Sequence, residues 1–227
     1  MLLYTNRLKR CKAKNLMNIK DRIKSIEKSQ YFKQANLHIH SSCSDGKLSF
    51  SELVKQGEKL DIKHMAISDH NTVAGWKDFD WQKYDFLIPA VEFDCFYKGT
   101  LLHILGYGID PNNPEIEKIC AKSEKETKYD IIRLFKSRHP KKVIDAIHLS
   151  GGIAVFAHPC CCWVLNLDKY TKELKDMGLD GIEVYYPYKR HRGFIKFHSR
   201  HNIKALADKY NLIITGGTDE HGSLIKQ

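Results

Sequence analysis

Short apolar runs alternate along the chain with longer charged stretches that have helical periodicity. The apolar runs are typical of buried strands, and five of them end near a residue that can bind metal: residues 37–40, 65–70, 87–92, 153–158 and 212–219. Further strands are predicted at 100–105 and 181–185, and helices at about 15–30, 49–60, 115–137, 141–149, 168–177 and 196–210. This alternation predicts an α/β fold with parallel strands.

Polar residues at strand ends are expected to gather on one face of such a fold. In a parallel barrel, the carboxyl ends of the strands lie on the same face, where barrel enzymes carry their chemistry. The strongest single signal is the pair His38 and His40, because alternate residues of a strand point the same way and both imidazoles can reach one cation. Asp45 follows in a turn with Gly46. The pattern therefore predicts a metal-dependent hydrolase.

Composition limits the classes of protein that the chain can form. With 227 residues, 42% of them hydrophobic, it fits one globular domain, and no apolar run is long enough to span a bilayer. The first residues lack the apolar centre of a secretory signal, and seven cysteines without a C-x-x-C pair indicate reduced thiols. We therefore expect a cytoplasmic protein. The formal net charge of +10 favours an anionic substrate or partner.

Much of the positive charge lies in residues 1–33, which we predict to be a basic helical extension ahead of the main domain at residues 34–227. Leu16, Ile19, Ile23 and Ile26 have helical spacing, so this extension is expected to pack on the barrel as an amphipathic helix. Binding of the extension to RNA or to another acidic surface is the alternative.

Six segments resemble, in order, the motifs of the PHP (polymerase and histidinol phosphatase) superfamily. They are residues 37–46, 67–75, 89–92, 103–107, 157–159 and 216–222. The resemblance spans about residues 34–222 and is strongest to the bacterial branch of nucleoside 3′,5′-bisphosphate phosphatases and 5′-3′ exoribonucleases. It implies a distorted, TIM-like (β/α)7 barrel with a metal site at the carboxyl ends of its strands, and a metal-dependent phosphoesterase activity.

The resemblance also implies a ligand set for two or three divalent metal ions. By motif position the three sets are His38, His40, Glu92 and Asp219; Asp45, His70 and His221; and Glu92, His103 and His158. These nitrogen and oxygen donors suit Mn²⁺, Fe²⁺ or Zn²⁺ alike. A water bound by the cluster is the expected nucleophile. Asp69 is predicted to support the site through a hydrogen bond.

The substrate is less defined than the metal site. The insertion at about residues 111–140 is shorter than in the nucleotide-hydrolysing branch, and we find no counterpart there of that branch's basic motif. Lys189, Arg190 and Arg192 follow a predicted strand and are candidate phosphate contacts, with a solvated loop as the alternative. A nucleotide-like phosphomonoester or the 5′ end of short RNA is the first expectation. Histidinol phosphate is a second, and a non-catalytic metal-binding module is a third. The sequence does not indicate the oligomeric state.

Overall fold

A parallel strand pair and a five-stranded sheet form the β structure. The computed structural model describes residues 19–188 and 198–222. β1 (Ala35–Asn36) pairs in parallel with β2 (His64–Met65). The larger sheet has the strand order β3 (Ala90–Tyr97), β4 (Thr100–Tyr107), β5 (Ile153–Phe156), β6 (Gly181–Tyr185) and β7 (Ile213–Gly216).

Helices connect these strands, so the predicted α/β class is confirmed. They are α1 (residues 19–24), α2 (Phe50–Lys59), α3 (Ala74–Lys77), α4 (Pro114–Ile119), α5 (Lys125–Lys128), α6 (Asp130–Phe135), α7 (Pro140–Leu149), α8 (Leu167–Asp176) and α9 (Arg200–Lys209). α2 begins with the capping box that its sequence predicts, in which Ser49 and Glu52 each accept from the other's backbone amide. In the described ranges, no helix combines the length and the hydropathy needed to cross a membrane.

The single helical stretch predicted for residues 115–137 is instead three short helices, α4 to α6. The backbone leaves α4 at Cys120 in an extended conformation, and Ala121 then donates to the carbonyl of Asn71 at 2.8 Å. Tyr129 is again extended between α5 and α6. Tertiary hydrogen bonds thus override the helical preference of this charged segment.

β4 runs antiparallel to its neighbours, so the expectation of parallel strands throughout was wrong. β3 and β4 are joined directly by a tight turn at Lys98 and Gly99, which have φ angles of 49° and 78°. Positive φ at both central residues is the pattern of a type I′ hairpin turn, which needs no connecting helix. The register places Asp94 opposite His103. His103 therefore reaches the site from the middle of a strand, and not from its carboxyl end.

Hydrogen bonds also link the two sheets at both edges. On one side, the amide of Leu37 after β1 donates to the carbonyl of Gly216 in β7 at 3.1 Å. On the other, the amide of Ile88 before β3 donates to the carbonyl of Met65 in β2 at 2.8 Å. The pair β1–β2 therefore lies between β7 and the start of β3, which are the two edge strands of the larger sheet.

The segment before β1 packs against the main hydrophobic core. Ile19 and Ile23 in α1, and Ile26 just after it, keep only 7%, 1% and 7% of their surface exposed. The helix ends at residue 24, earlier than the predicted end at about residue 30. Lys20 on the other face of α1 donates to Asp180 at 2.7 Å. Burial of three isoleucines removes enough apolar surface from water to hold this segment in place.

Candidate metal centre

All nine residues predicted as metal ligands lie in a single cluster around Glu92, whose side chain is fully buried. Its Oε2 lies 3.1 Å from Nε2 of His38 and 3.2 Å from Nε2 of His40. Its Oε1 lies 2.9 Å from Nδ1 of His103 and 3.0 Å from Nε2 of His158. The two oxygens of one carboxylate therefore face two different pairs of histidines.

Three groups of side chains within the described residues have ligand atoms that lie within 4.8 Å of one another. The first group is His38, His40, Glu92 and Asp219; the second is His40, Asp45, His70 and His221; and the third is His70, Glu92 and His103. The first group equals the first predicted set. The second group contains the second predicted set and, in addition, His40. The third contains His70 where the sequence predicted His158, which nonetheless contacts the same oxygen of Glu92.

The second group offers donor atoms that the protein itself leaves unsatisfied. Nδ1 of His40 and Oδ1 of Asp45 are buried, make no hydrogen bond within the described part of the chain, and lie 3.7 Å apart. Nε2 of His221 lies 3.3 Å from the same oxygen. Buried polar atoms without partners are costly, and a cation would satisfy them. The nitrogen and oxygen donors fit a divalent transition metal.

Asp69 shapes the turn that carries Asp45. It accepts hydrogen bonds from the amide and the hydroxyl of Ser41 and from the hydroxyl of Ser44, each at 2.7 Å. The turn closes so tightly that a Cβ on Gly46 would lie 2.2 Å from the carbonyl oxygen of His40. Asp69 therefore acts on the loop beside Asp45, and none of these bonds involves its neighbour His70.

Three residues near the centre have backbone conformations that side chains other than glycine rarely adopt. Asn71, His158 and Asp219 have φ angles of 56°, 25° and 51°. Asn71 directly follows the bridge residue His70, and the other two lie two and three residues after β5 and β7. Such conformations cost on the order of 1–3 kcal/mol each and persist only where the surrounding structure enforces them. Close packing contributes here, because a Cβ on Gly217 would lie 2.3 Å from Cβ of His38. The fold thus holds the candidate ligands in place against local backbone preference.

Two buried carboxylates that the sequence analysis missed contact His38 and His103 at the ring nitrogen that does not face Glu92. Both oxygens of Glu183 lie close to Nδ1 of His38, at 3.1 and 3.2 Å. Asp94 lies 3.1 Å from Nε2 of His103. Asp94 had a detectable signal, because it lies two residues after Glu92 and so on the same face of β3. An acidic residue inside the apolar run of β6 was the corresponding signal for Glu183.

Arg133, on α6 in the insertion, was also missed. Its Nη1 donates to Oδ2 of Asp45 at 2.7 Å, and its side chain is only 8% exposed. Burial acts to lower the pKa of Arg133, but the carboxylates of Asp94 and Asp45 outweigh this effect, so the pKa is raised above its ordinary value. The insertion therefore does place a basic side chain at the cluster, although without the spacing of the motif for which we searched.

The charges in the cluster stabilise one another. Burial acts to raise the pKa of Glu92, but His38, His70 and His103 lower it well below its ordinary value. Burial acts to lower the pKa of His103, but Glu92 and Asp94 raise it to about 9. His70 differs, because burial outweighs its carboxylate neighbours and lowers its pKa to about 3. Glu92 thus stays ionised, which is the form that binds cations.

The predicted substrate contacts Lys189, Arg190 and Arg192 lie outside the described residues. Their role stays a prediction.

Comparison with known proteins decides the family. The family model of the PHP domain matches residues 36–189, which is more than half of the chain. The chain belongs to the PHP domain family. It is 23% identical to a phosphoribosyl 1,2-cyclic phosphate 1,2-diphosphodiesterase of Eggerthella lenta, over 82% of this chain and 94% of that protein. It is 30% identical to a 5′-3′ exoribonuclease of Haemophilus influenzae, over 56% of this chain and 48% of that enzyme, and so spans about half of its length.

Solved structures share the fold of this PHP protein. A candidate metal-dependent phosphoesterase from Bifidobacterium adolescentis superposes with a TM-score of 0.67 at 20% identity, covering 85% of this chain and 88% of its own. An amidohydrolase from Chromobacterium violaceum, with bound sulfate and no metal, gives 0.66 at 18% identity, covering 83% and 88%. The predicted family and the predicted class, a metal-dependent phosphoesterase, are confirmed.

Proposed function

We propose that this PHP protein is a phosphoesterase that acts on a nucleotide-like phosphomonoester or on the 5′ end of short RNA, using two or three Mn²⁺, Fe²⁺ or Zn²⁺ ions. The nine ligands would be the residues that the motifs predicted: His38, His40, Asp45, His70, Glu92, His103, His158, Asp219 and His221. The observation that supports this most is the position of Glu92, whose two oxygens face separate pairs of histidines within 3.2 Å. A carboxylate so placed can serve two metal ions at once.

The finer architecture belongs to the same proposal. We propose that the two sheets form one distorted (β/α)7 barrel, with residues 1–33 as an extension and residues 111–140 as a short insertion. The bonds from Leu37 to Gly216 and from Ile88 to Met65 support continuity around the ring. The ligands would then line the end of the barrel at which most strands finish. A cytoplasmic location is part of this proposal as well.

The protein's own residues would prepare the centre before substrate arrives. When bound, divalent ions would supply Lewis acidity and an activated water. A hydrogen bond from Nδ1 of His38 to Glu183 places the ring proton on Nδ1, so that the lone pair of Nε2 could bind a metal ion. The hydroxyl of Tyr186 donates to Oδ2 of Asp219 at 2.9 Å, which turns Oδ1 towards His40 at 3.1 Å. Asp69 would keep the Asp45 turn in place through its bonds to the two serines.

Hydrolysis of a cyclic phosphodiester is a second candidate. The Eggerthella lenta enzyme, named for a phosphoribosyl cyclic phosphate, matches over 94% of its length, whereas the exoribonuclease matches over only 48%. This long alignment is the reason to test a cyclic phosphodiester as a substrate. The net positive charge of the protein is compatible with either substrate, because both carry an anionic phosphate.

One assay series distinguishes these functions. The purified protein, loaded with Mn²⁺, is offered adenosine 3′,5′-bisphosphate, a 5′-phosphorylated RNA trinucleotide, phosphoribosyl 1,2-cyclic phosphate and histidinol phosphate. We expect the highest kcat/KM on one of the first two, whereas preference for the third or fourth would replace the substrate assignment. Glu92→Gln serves as the control for contaminating phosphatases. Metal binding without turnover on any of these compounds would favour a non-catalytic module.

A further inference from the structure

The short helix α6 is amphipathic in the reverse of the usual sense. Its buried side chain is the charged Arg133, whereas Ile131 and Phe135 are 73% and 82% exposed. A surface helix normally buries apolar residues and exposes charged ones. Burial of Ile131 and Phe135 therefore does not hold α6 on the protein. The contacts of the buried arginine contribute to its attachment.

Arg133 contacts two carboxylates at the metal centre. Nη1 donates to Oδ2 of Asp45 at 2.7 Å, and Nε lies 3.7 Å from Oδ1 of Asp94. Nη1 also donates to the backbone carbonyl of Thr127 at 3.3 Å. Nη2 donates to Asp130 in the first turn of the same helix. The guanidinium thus ties α6 to one residue of the second group and to one residue behind the third.

The two oxygens of the Asp45 carboxylate face different partners. Oδ2 is held by Arg133, while Oδ1 points towards His221 at 3.3 Å and His40 at 3.7 Å. Without the arginine, the side chain could rotate about its Cβ–Cγ bond, because that torsion is broad and has no strong preference. A partner that fixes one oxygen therefore decides where the other one points.

We propose that Arg133 is a positioning residue that makes metal binding by the second group depend on the attachment of α6. Arg133 holds Oδ2 of Asp45, so that Oδ1 faces the imidazoles of His40 and His221. This inference rests on the proposed metal centre. It goes further, because it assigns the insertion a role in metal retention.

The positive charge of Arg133 opposes this role, since a cation repels another cation. Three carboxylates surround it, however, those of Asp45, Asp94 and Asp130. Their negative charges offset the repulsion between Arg133 and a cation bound by the second group. Orientation of Asp45 is therefore the larger effect, and loss of the arginine weakens metal binding.

The test compares Arg133→Met with Lys136→Met. Both changes remove one positive charge from the same segment, but Lys136 is exposed. Stripped proteins are titrated with Co²⁺, and the absorption of the bound ion gives the number and affinity of sites. We expect Arg133→Met to weaken one site by about 10–100-fold, the usual effect of losing a partner behind a ligand. Lys136→Met should match the wild type.

A second pair of variants separates positioning from general damage. In an Asp45→Asn background, the further change Arg133→Met should alter Co²⁺ affinity little, since the residue through which it acts is already changed. An equally large loss in that background would show a merely structural role and overturn the inference. If Arg133→Met does not fold, Arg133→Lys is titrated in both backgrounds, with a loss in the same direction expected.

The outcomes also separate this inference from the proposed function. If the wild type binds no Co²⁺, the metal centre itself is wrong. If the wild type binds Co²⁺ and Arg133→Met binds it equally or more tightly, only the role of Arg133 is wrong.

Discussion

Glu183 and His38 face each other in the core with both side chains fully buried. The carboxylate oxygens lie 3.1 and 3.2 Å from Nδ1, and Oε2 also accepts the backbone amide of His158 at 2.9 Å. One carboxylate thus fixes the ring of one candidate ligand and the backbone of another. Because neither group contacts water, their interaction is stronger than it would be on the surface.

Glu183→Gln is expected to weaken metal binding by the first group. Glutamine has the same shape but lacks the negative charge that supports His38, and loss of such partners costs about 10–100-fold in metal affinity or activity. Calorimetric titration with Mn²⁺ checks the affinity, and kcat is measured in parallel. Glu58→Gln, an exposed change on α2, is the control. Unchanged Mn²⁺ affinity in Glu183→Gln would remove the assigned role.

The sequence predicted the nine clustered residues because strand ends and motif order carry that information. The two carboxylates behind the histidines were not found, although each has a local signal. Glu183 lies in the apolar run of β6, and Asp94 shares a strand face with Glu92. Glu183 lies inside a predicted strand and Asp94 lies beyond the predicted end of another at residue 92, so a search for ligands at strand ends selected neither.

Arg133 could not be found in the same way. Its partner Asp45 lies 88 residues earlier in the chain, and α6 exposes Ile131 and Phe135 while it buries its arginine. The antiparallel course of β4 was missed for another reason, because β3 continues to Tyr97, beyond its predicted end at residue 92, and leaves only Lys98 and Gly99 for the turn. Helix periodicity and ligand spacing are local properties, whereas the contact between Arg133 and Asp45 depends on the tertiary structure.

His158→Ala tests whether His158 is a metal ligand, as its motif position predicts. His158 lies 3.0 Å from Oε1 of Glu92, yet it is not part of the compact group of His70, Glu92 and His103. If it is a ligand, its loss should lower turnover by at least about 100-fold, the upper end for a mere supporting partner. The bound metal per chain, determined by elemental analysis, should also fall. His201→Ala, an exposed change on α9, should affect neither quantity. Full metal content in His158→Ala would exclude it as a ligand.

Asp180 should make the fold sensitive to acid at a position remote from the cluster. It accepts from Lys20 and contacts Nε2 of His148, each at 2.7 Å, and accepts the amide of Ala154 at 3.0 Å. Burial acts to raise the pKa of Asp180, but its bonds to His148 and Lys20 lower it to about 2. A lowered folded-state pKa means that this stabilisation is present above pH 4 and is lost as the pH falls through about 2.

Asp180→Asn should therefore reduce the free energy of unfolding by about 1–3 kcal/mol at pH 7. Its difference from the wild type should shrink at pH 3, as the wild-type carboxylate loses its advantage. Urea denaturation at the two pH values measures both differences. Asp176→Asn, in an exposed ion pair on α8, should change stability by less than about 1 kcal/mol. An equal effect of Asp180→Asn at both pH values would contradict the linkage.

The N-terminal segment offers a final test, because adjacent residues of α1 differ in burial. Ile23 is 1% exposed in the main core, whereas Lys24 points outward. Ile23→Ala should lower the free energy of unfolding by about 2–5 kcal/mol, and Lys24→Ala by no more than about 0.5 kcal/mol. Thermal and urea unfolding of the two variants measure this.

The same difference in burial decides how RNA binding by the basic extension should be examined. Deleting residues 1–33 would remove Ile23 and damage the core, so any loss of binding would be ambiguous. Deletion of residues 1–18 leaves the buried isoleucines in place. If the extension recruits RNA, this deletion should weaken binding and flatten its dependence on salt, because fewer phosphate contacts are made. If Ile23→Ala proved as stable as the wild type, α1 would not be part of the folded core, and deletion of residues 1–33 would become the better experiment.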